Sequence, residues 1–249
     1  MIDRELNTNS EYGFNTWEEI DQYEGNGIVV IPTGAIEVYG PHLPLGSDSL
    51  VAENMARRVA ARIDAKCLPL IPIGYSADLM SFPGTLTVEP EAFKAYLDGV
   101  CRSLIRWGFN QFLFLNTHLG NVRLIDQVAD GLLADPSIRC LQIDFWRLAA
   151  RLGADLWESG DWAVGHAGEL GTSVLQFMAP ELVRSERQVD FIPESNPWPA
   201  GVDNYKPYRQ LTASSVMGRP SVANSEKGRL VVERSVDEIV TLSSGVFAS

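Results

Sequence analysis

Apolar residues concentrate in four short segments: GIVVIP (27–32), CLPLIPI (67–73), QFLFLN (111–116) and RCLQID (139–144). None alternates cleanly between apolar and polar, the pattern expected of strands covered on both faces and therefore of a parallel sheet. Between them the spacing is helical. Val51, Met55, Val59 and Ile63 step by four behind Ser47 and Ser49, two residues suited to capping. Phe93, Leu97, Val100, Leu104 and Trp107 form a second stripe, with Pro90 near its start and Gly108 just past its end. A third helix is expected from about 121 to 133, before Pro136, a fourth from near Glu169 to before Pro180, and a last one over about 226–242. Strands alternating with helices predict an α/β fold with a mostly parallel sheet and helices on both faces, in one domain over residues 1–249.

One stretch breaks the rhythm. Residues 188–222 are rich in Pro, Asn and Ser, show no period, and carry Trp198, Tyr205 and Tyr208. A helix follows, so the expectation is a long ordered loop serving as a lid or an oligomer contact. Composition narrows the function classes. A chain of 249 residues, 45% hydrophobic and 21% charged, has the make-up of an ordinary globular protein. Its net charge of −12 argues against a nucleic-acid partner. No apolar run reaches the roughly 20 residues that span a membrane, and the acidic start has no signal-peptide core. Cys67, Cys101 and Cys140 are odd in number and sit in apolar surroundings. Reduced thiols and a cytoplasmic location are expected.

The chemistry collects where the strands end, which is where ligands bind in open α/β sheets. The first strand runs into IPTGAIEVYGPHLPLGSD (31–48), bearing Glu37, Tyr39, His42 and Asp48. The third runs into NTHLGN (116–121), bearing His118, and the last of only three histidines, His166, opens HAGELGTS (166–173). Each residue has an ordinary reading on its own. Glu37 could be a surface carboxylate, Asp48 a helix-dipole partner, His118 a hydrogen-bonded core imidazole, and Glu169 a helix cap. His42, between Pro41 and Pro44, suits orienting a neighbour better than ligating. Trp157 and Trp162 fit either a pocket wall or the core. Together, carboxylates and imidazoles at one sheet edge read as a site for Zn²⁺, with Mn²⁺ or Fe²⁺ as alternatives.

These stretches resemble the creatininase (creatinine amidohydrolase) family. GAIEVYGPHLPLGSD is similar to its Glu-x-His-Gly-Pro-His-Leu-Pro run followed by Asp, FPGTLTV (82–88) to its Phe-Pro-Gly-Thr loop, and NTHLGN to its Asn-Gly-His-Gly-Gly-Asn turn. HAGELGTS and GRPSVANSEKG (218–228) match two further motifs, all in order. The resemblance implies a three-layer α/β/α sandwich, a hexamer of identical chains, and metal-dependent hydrolysis of a small polar, cyclic amide-type substrate. It implies Glu37, Asp48 and His118 as metal ligands, with Asp48 bridging if two metals bind, and His166 as proton shuttle. Glu169 is expected to reach the second metal, because Gly120 stands where the turn would supply a carboxylate. His42, Asn116 and Thr85, inside the matching motifs, are expected to touch substrate or orient the ligands. Tyr39 departs from the pattern, which puts a histidine ligand there, and so does Gly171, where a glutamate is usual. Tyr39 is therefore expected to act on the substrate or the water, with one or two metals per chain. Two other outcomes remain open: carbon–carbon cleavage of a cyclic keto-inositol, and a relative that binds metal or ligand without activity.

Overall fold

The computed structural model describes residues 10–193 and 206–247, so Trp198 and Tyr205 lie outside the described residues. Strands β1 (Ile28–Thr33), β2 (Lys66–Cys67), β3 (Gln111–Asn116) and β4 (Arg139–Asp144) form one parallel sheet in the order β2-β1-β3-β4. Thr33 pairs with Asn116, and Asn116 with Asp144. The last residues of three strands thus lie in one row, and everything that follows them leaves from the same edge.

Side chains alternate across the pleat. Val29, Ile31, Phe112 and Phe114 pack with α3 (Pro90–Arg106) and α4 (Val122–Leu132). Val30, Leu113, Leu115 and Ile143 pack on the other face with α2 (Ser47–Arg62), α5 (Phe145–Leu152), α6 (Glu169–Met178) and α8 (Ser225–Phe247). The result is the expected α/β/α sandwich with a parallel sheet. Two buried faces explain why the strand sequences do not alternate. Phe114 is fully buried, and Phe114→Ala would cost about 3–5 kcal/mol through lost burial and the cavity left behind. Among the described residues, no helix is long and apolar enough to cross a membrane.

Several expectations are corrected. The segment 67–73 is regular only at Lys66–Cys67, then touches β1 again through Thr33 and Ile71. Pro69 and Pro72 lack the N–H a ladder needs, so the edge strand breaks. Ser47 and Ser49 do not cap α2. Their hydroxyls donate to the carbonyls of Pro44 (2.7 Å) and Ala35 (3.0 Å), tying the preceding loop to the helix. Helices α1 (Trp17–Asp21), α5 and α7 (Tyr208–Leu211) were not foreseen. α5 starts directly at the end of β4, with the Asp144 carboxylate accepting from the Arg147 N–H at 3.4 Å. Within 188–222, the described part contains α7 and a bridge between Phe191 and Gly218 rather than an unbroken loop.

Candidate functional site

Glu37, Asp48 and His118 meet beyond the carboxyl ends of β1 and β3. Nδ1 of His118 lies 3.0 Å from Glu37 Oε2 and 3.3 Å from Asp48 Oδ2. All three residues are buried, and among the described residues they form the one group of three ligand-type side chains close enough to hold an ion together. The loop is braced at each point. Asn116 Nδ2 donates to the His118 carbonyl (2.7 Å), while its Oδ1 accepts from Thr33 Oγ1 (3.0 Å). Thr85 Oγ1 accepts from the Val38 N–H between Glu37 and Tyr39 (3.0 Å). Thr117 Oγ1 donates to the Asp48 carbonyl (2.8 Å).

The tautomer of His118 follows from its partners. Nε2 stands 2.8 Å from the Tyr75 carbonyl, which can only accept, so Nε2 carries hydrogen. The neutral ring then turns its Nδ1 lone pair toward two carboxylates, the arrangement of a metal-binding histidine held by a backbone carbonyl on its far nitrogen. Without a cation a proton is shared among the three groups. Burial and the charge of Glu37 push Asp48 up to about 6. Burial would raise Glu37 too, but its contacts with His118 and His166 outweigh this and hold it down to about 2. Burial would lower His118, yet hydrogen bonds to Asp48 and Glu37 raise it well above 6.5. A divalent cation among these oxygens and the Nδ1 lone pair would take the place of that shared proton. The donor set fits a borderline metal.

The remaining predicted residues divide. Tyr39 joins the cluster's wall. Its ring centroid lies 4.8 Å from that of His166, and burial plus the charges of Asp48 and Glu37 keep its hydroxyl neutral, well above 10. The hydroxyl makes no hydrogen bond to the described residues. A Cβ on Gly171 would stand 3.1 Å from it, so a larger residue at 171 would press on the phenol ring. His166 brings Nε2 to 3.3 Å from Glu37 Oε1, while its Nδ1 faces the Ser215 carbonyl at 2.7 Å. His42 is fully buried and bonds Thr172 Oγ1 of α6 through Nε2 at 2.9 Å, anchoring the loop and not reaching the cluster.

Glu169, expected as a ligand, does not join the cluster. It is fully buried, its Oε1 lies 2.6 Å from Lys227 Nζ, and it accepts backbone N–H groups of Glu158 (3.1 Å) and Ser159 (2.8 Å). Gly120 cannot be replaced by a carboxylate residue either, since a Cβ there would stand 2.0 Å from the Tyr75 carbonyl oxygen. Trp157 and Trp162 do not line the cavity. Trp157 instead donates from Nε1 to the Ala150 carbonyl at 3.0 Å.

The cluster opens onto a cavity of about 520 Å³. Its walls are mostly apolar or aromatic, with Tyr75, Leu79, Trp146, Val164, Leu170 and Tyr208 among them. Four of its contributors were not among the predicted site residues. Ser76 donates to Glu37 Oε2 at 3.0 Å, and Trp146 Nε1 reaches Asp48 Oδ1 at 3.1 Å and also the Thr117 carbonyl. Tyr208 packs edge-on to His166, and the Tyr75 carbonyl fixes His118. The pairing of β3 with β4 brings in Trp146, the return of the chain after β2 brings in Tyr75 and Ser76, and α7 brings in Tyr208.

Fold and site define an α/β/α protein with a candidate metal centre. The family model Creatininase: Creatinine amidohydrolase matches residues 14–243, and the chain belongs to the creatininase family. It is 27% identical over 241 residues to creatinine amidohydrolase of Pseudomonas putida, covering 90% of this chain and 92% of that one. It is 31% identical over 234 residues to the mycofactocin precursor peptide peptidase of Mycobacterium tuberculosis strain H37Rv, covering 85% and 82%. A 3-dehydro-scyllo-inosose hydrolase of Thermotoga maritima is 26% identical over 239 residues, covering 86% and 76%. A solved structure named Creatininase Mn superposes with a TM-score of 0.86 at 26% identity, covering 96% of this chain and 99% of that one.

Proposed function

We propose that this chain hydrolyses an amide bond flanked by apolar groups, using one divalent cation held by Glu37, Asp48 and His118, with zinc first and manganese or iron as alternatives. The observation that carries the reading is the His118 ring. Its Nε2–H is committed to the Tyr75 carbonyl, and its Nδ1 faces two buried carboxylates at 3.0 and 3.3 Å. A cation in that place supplies polarisation of a carbonyl and a water acidic enough to act near neutral pH.

The chain's own groups do the rest. The Ser215 carbonyl fixes hydrogen on Nδ1 of His166, which leaves Nε2 as the atom that takes and gives a proton. That nitrogen stands 3.3 Å from Glu37 Oε1, at the cluster, so His166 suits carrying a proton from water to the departing amine. Tyr39 offers a neutral, unpartnered hydroxyl that can donate to an oxygen gaining charge. Trp146 and Tyr208 keep bulk water away from these groups.

The wall chemistry favours an apolar amide over the small polar ring expected from sequence. A cavity of about 520 Å³ is in the range that takes a drug-sized ligand. A polyhydroxylated ring would leave hydroxyls against apolar surface at roughly 1–3 kcal/mol each, which counts against the keto-inositol reaction. Among the relatives, one is named an amidohydrolase and another a peptidase, both consistent with amide cleavage. The three free cysteines suit a reducing compartment such as the cytoplasm.

Protein purified without chelator and loaded with zinc, manganese or iron tests the proposal against acyl amino acids, short peptides, cyclic amides and keto-inositols. One metal per chain in the wild type, none in His118→Ala, and cleavage of the apolar amides are expected. Full metal content in His118→Ala, or turnover confined to the keto-inositol, would overturn it.

A further inference from the structure

The cavity wall carries one charged pair that the hydrolytic step leaves unused. Asp144 ends β4, and Arg147 lies one turn into α5 with its Nε 3.3 Å from Asp144 Oδ2. Both residues line the cavity, and Arg147 is the one lysine or arginine among its lining residues. Neither terminal nitrogen of Arg147 bonds a described residue. Asp144 Oδ2 is buried and makes no hydrogen bond. The Arg147 side chain is 66% exposed and that of Asp144 15%, so the pair stands at the mouth of the mostly apolar cavity with the end of its guanidinium fork open.

Its position relative to the metal cluster is set by the sheet. Asp144 pairs with Asn116, two residues before His118, and neighbouring strands lie about 4.8 Å apart. Trp146, beside Arg147, donates to Asp48 at 3.1 Å. A group held by Arg147 would therefore lie in the same cavity as a carbonyl held at the cluster. An amide carbonyl and a carboxylate on the carbon after its nitrogen are two such groups of one substrate. Arginine's planar fork matches a carboxylate with two parallel hydrogen bonds.

We infer that Arg147, held in place by Asp144, receives a substrate carboxylate, so that the amide cleaved is the last one of a peptide or that of an N-acyl amino acid. This rests on the amide-hydrolase reading and narrows it. The reaction is RCO–NH–CHR′–COO⁻ + H₂O → RCOO⁻ + ⁺H₃N–CHR′–COO⁻. The C–N bond breaks, a C–O bond forms, and both water protons finish on the amine.

The test uses the full-length, metal-loaded protein and a probe that cannot be cleaved: N-acetyl-phenylalanyl-leucine with its last amide reduced to CH₂–NH, as free acid and as carboxamide. Calorimetric titration of wild type should give about tenfold or more tighter binding of the acid. Arg147→Gln should bring the acid to the carboxamide's affinity, leaving the carboxamide and the metal content unchanged, and Arg147→Lys should recover part of the preference. Equal binding by wild type, no binding of either form at millimolar concentration, or a preference that survives in Arg147→Gln would overturn the inference, the last by assigning the carboxylate to the metal. The unreduced peptides separate the two readings. If the acid is preferred but neither peptide is cleaved, the subsite stands and the hydrolase proposal falls. If acid and carboxamide are cleaved equally well, the reverse holds.

Discussion

Glu169 offers the sharpest test, because sequence resemblance makes it a metal ligand and the structure gives it other work. Consider Lys227→Met. The lysine Nζ lies 2.6 Å from Glu169, 2.6 Å from Glu158 and 2.9 Å from the Val222 carbonyl. Glu158 is largely exposed, so its share is within about 0–1 kcal/mol. Glu169 is fully buried, and losing one partner of a buried pair costs about 3–5 kcal/mol. Two backbone N–H groups would still hold the carboxylate, which offsets part of that loss. The expected destabilisation is about 2–4 kcal/mol. Glu169→Gln keeps the shape and removes the charge. The double variant should lose less than the two single losses added together, by about 1–3 kcal/mol, since the two side chains share one interaction. Urea unfolding followed by tryptophan fluorescence, at one protein concentration and without free metal so that binding does not add to stability, gives these numbers. Lys227, Ser159 and two backbone N–H groups overcome burial and hold the Glu169 carboxyl below its usual 4.5. The unfolded chain therefore binds more protons just below that pH, and the pair's contribution is lost on acidification, not on raising the pH. A loss under about 1 kcal/mol in Lys227→Met would refute the reasoning. So would a Glu169→Gln protein that drops its metal while its unfolding midpoint stays put.

Four further outcomes are expected. Tyr39→Phe should lower kcat on the cleaved amide by about 100-fold or more while metal content and unfolding midpoint hold; unchanged turnover would remove the hydroxyl from the chemistry. Tyr39→His should leave metal content at one per chain by elemental analysis, because Glu169 is engaged elsewhere and residue 120 has no room for a carboxylate. Burial pushes His42 from 6.5 down to about 4, so the unfolded chain takes up a proton between those values that the fold refuses; stability should fall by up to about 3 kcal/mol as the pH drops through that window, and the slope should flatten in His42→Asn. Sedimentation should give a homo-oligomer, a hexamer on the family resemblance, and a mass near 27.4 kDa at micromolar concentration would contradict it.

The sequence by itself determined most of the frame. Strands β1, β3 and β4 and helices α2, α3, α4 and α6 begin and end within about two residues of their apolar periods and breakers, because local propensity and burial pattern agree there. It also placed Glu37, Asp48, His118 and His166 at one sheet edge, since each follows a strand or opens a helix in a parallel sheet whose ends must align. What it could not decide was which of these side chains touch. Glu169 and Lys227 are 58 residues apart and pair only because α6 packs on α8, a contact invisible to any local pattern. Arg147 and Trp146 enter the cavity because β4 lies beside β3 in a register that ends Asp144 opposite Asn116. The room beside the Tyr39 ring depended on the missing side chain at Gly171, on a helix more than 130 positions away. Chain order sets which elements form. The distances between elements, and with them the proton sharing, the cavity walls and the partner of each buried charge, are fixed only when the sheet and its two helical layers close on one another.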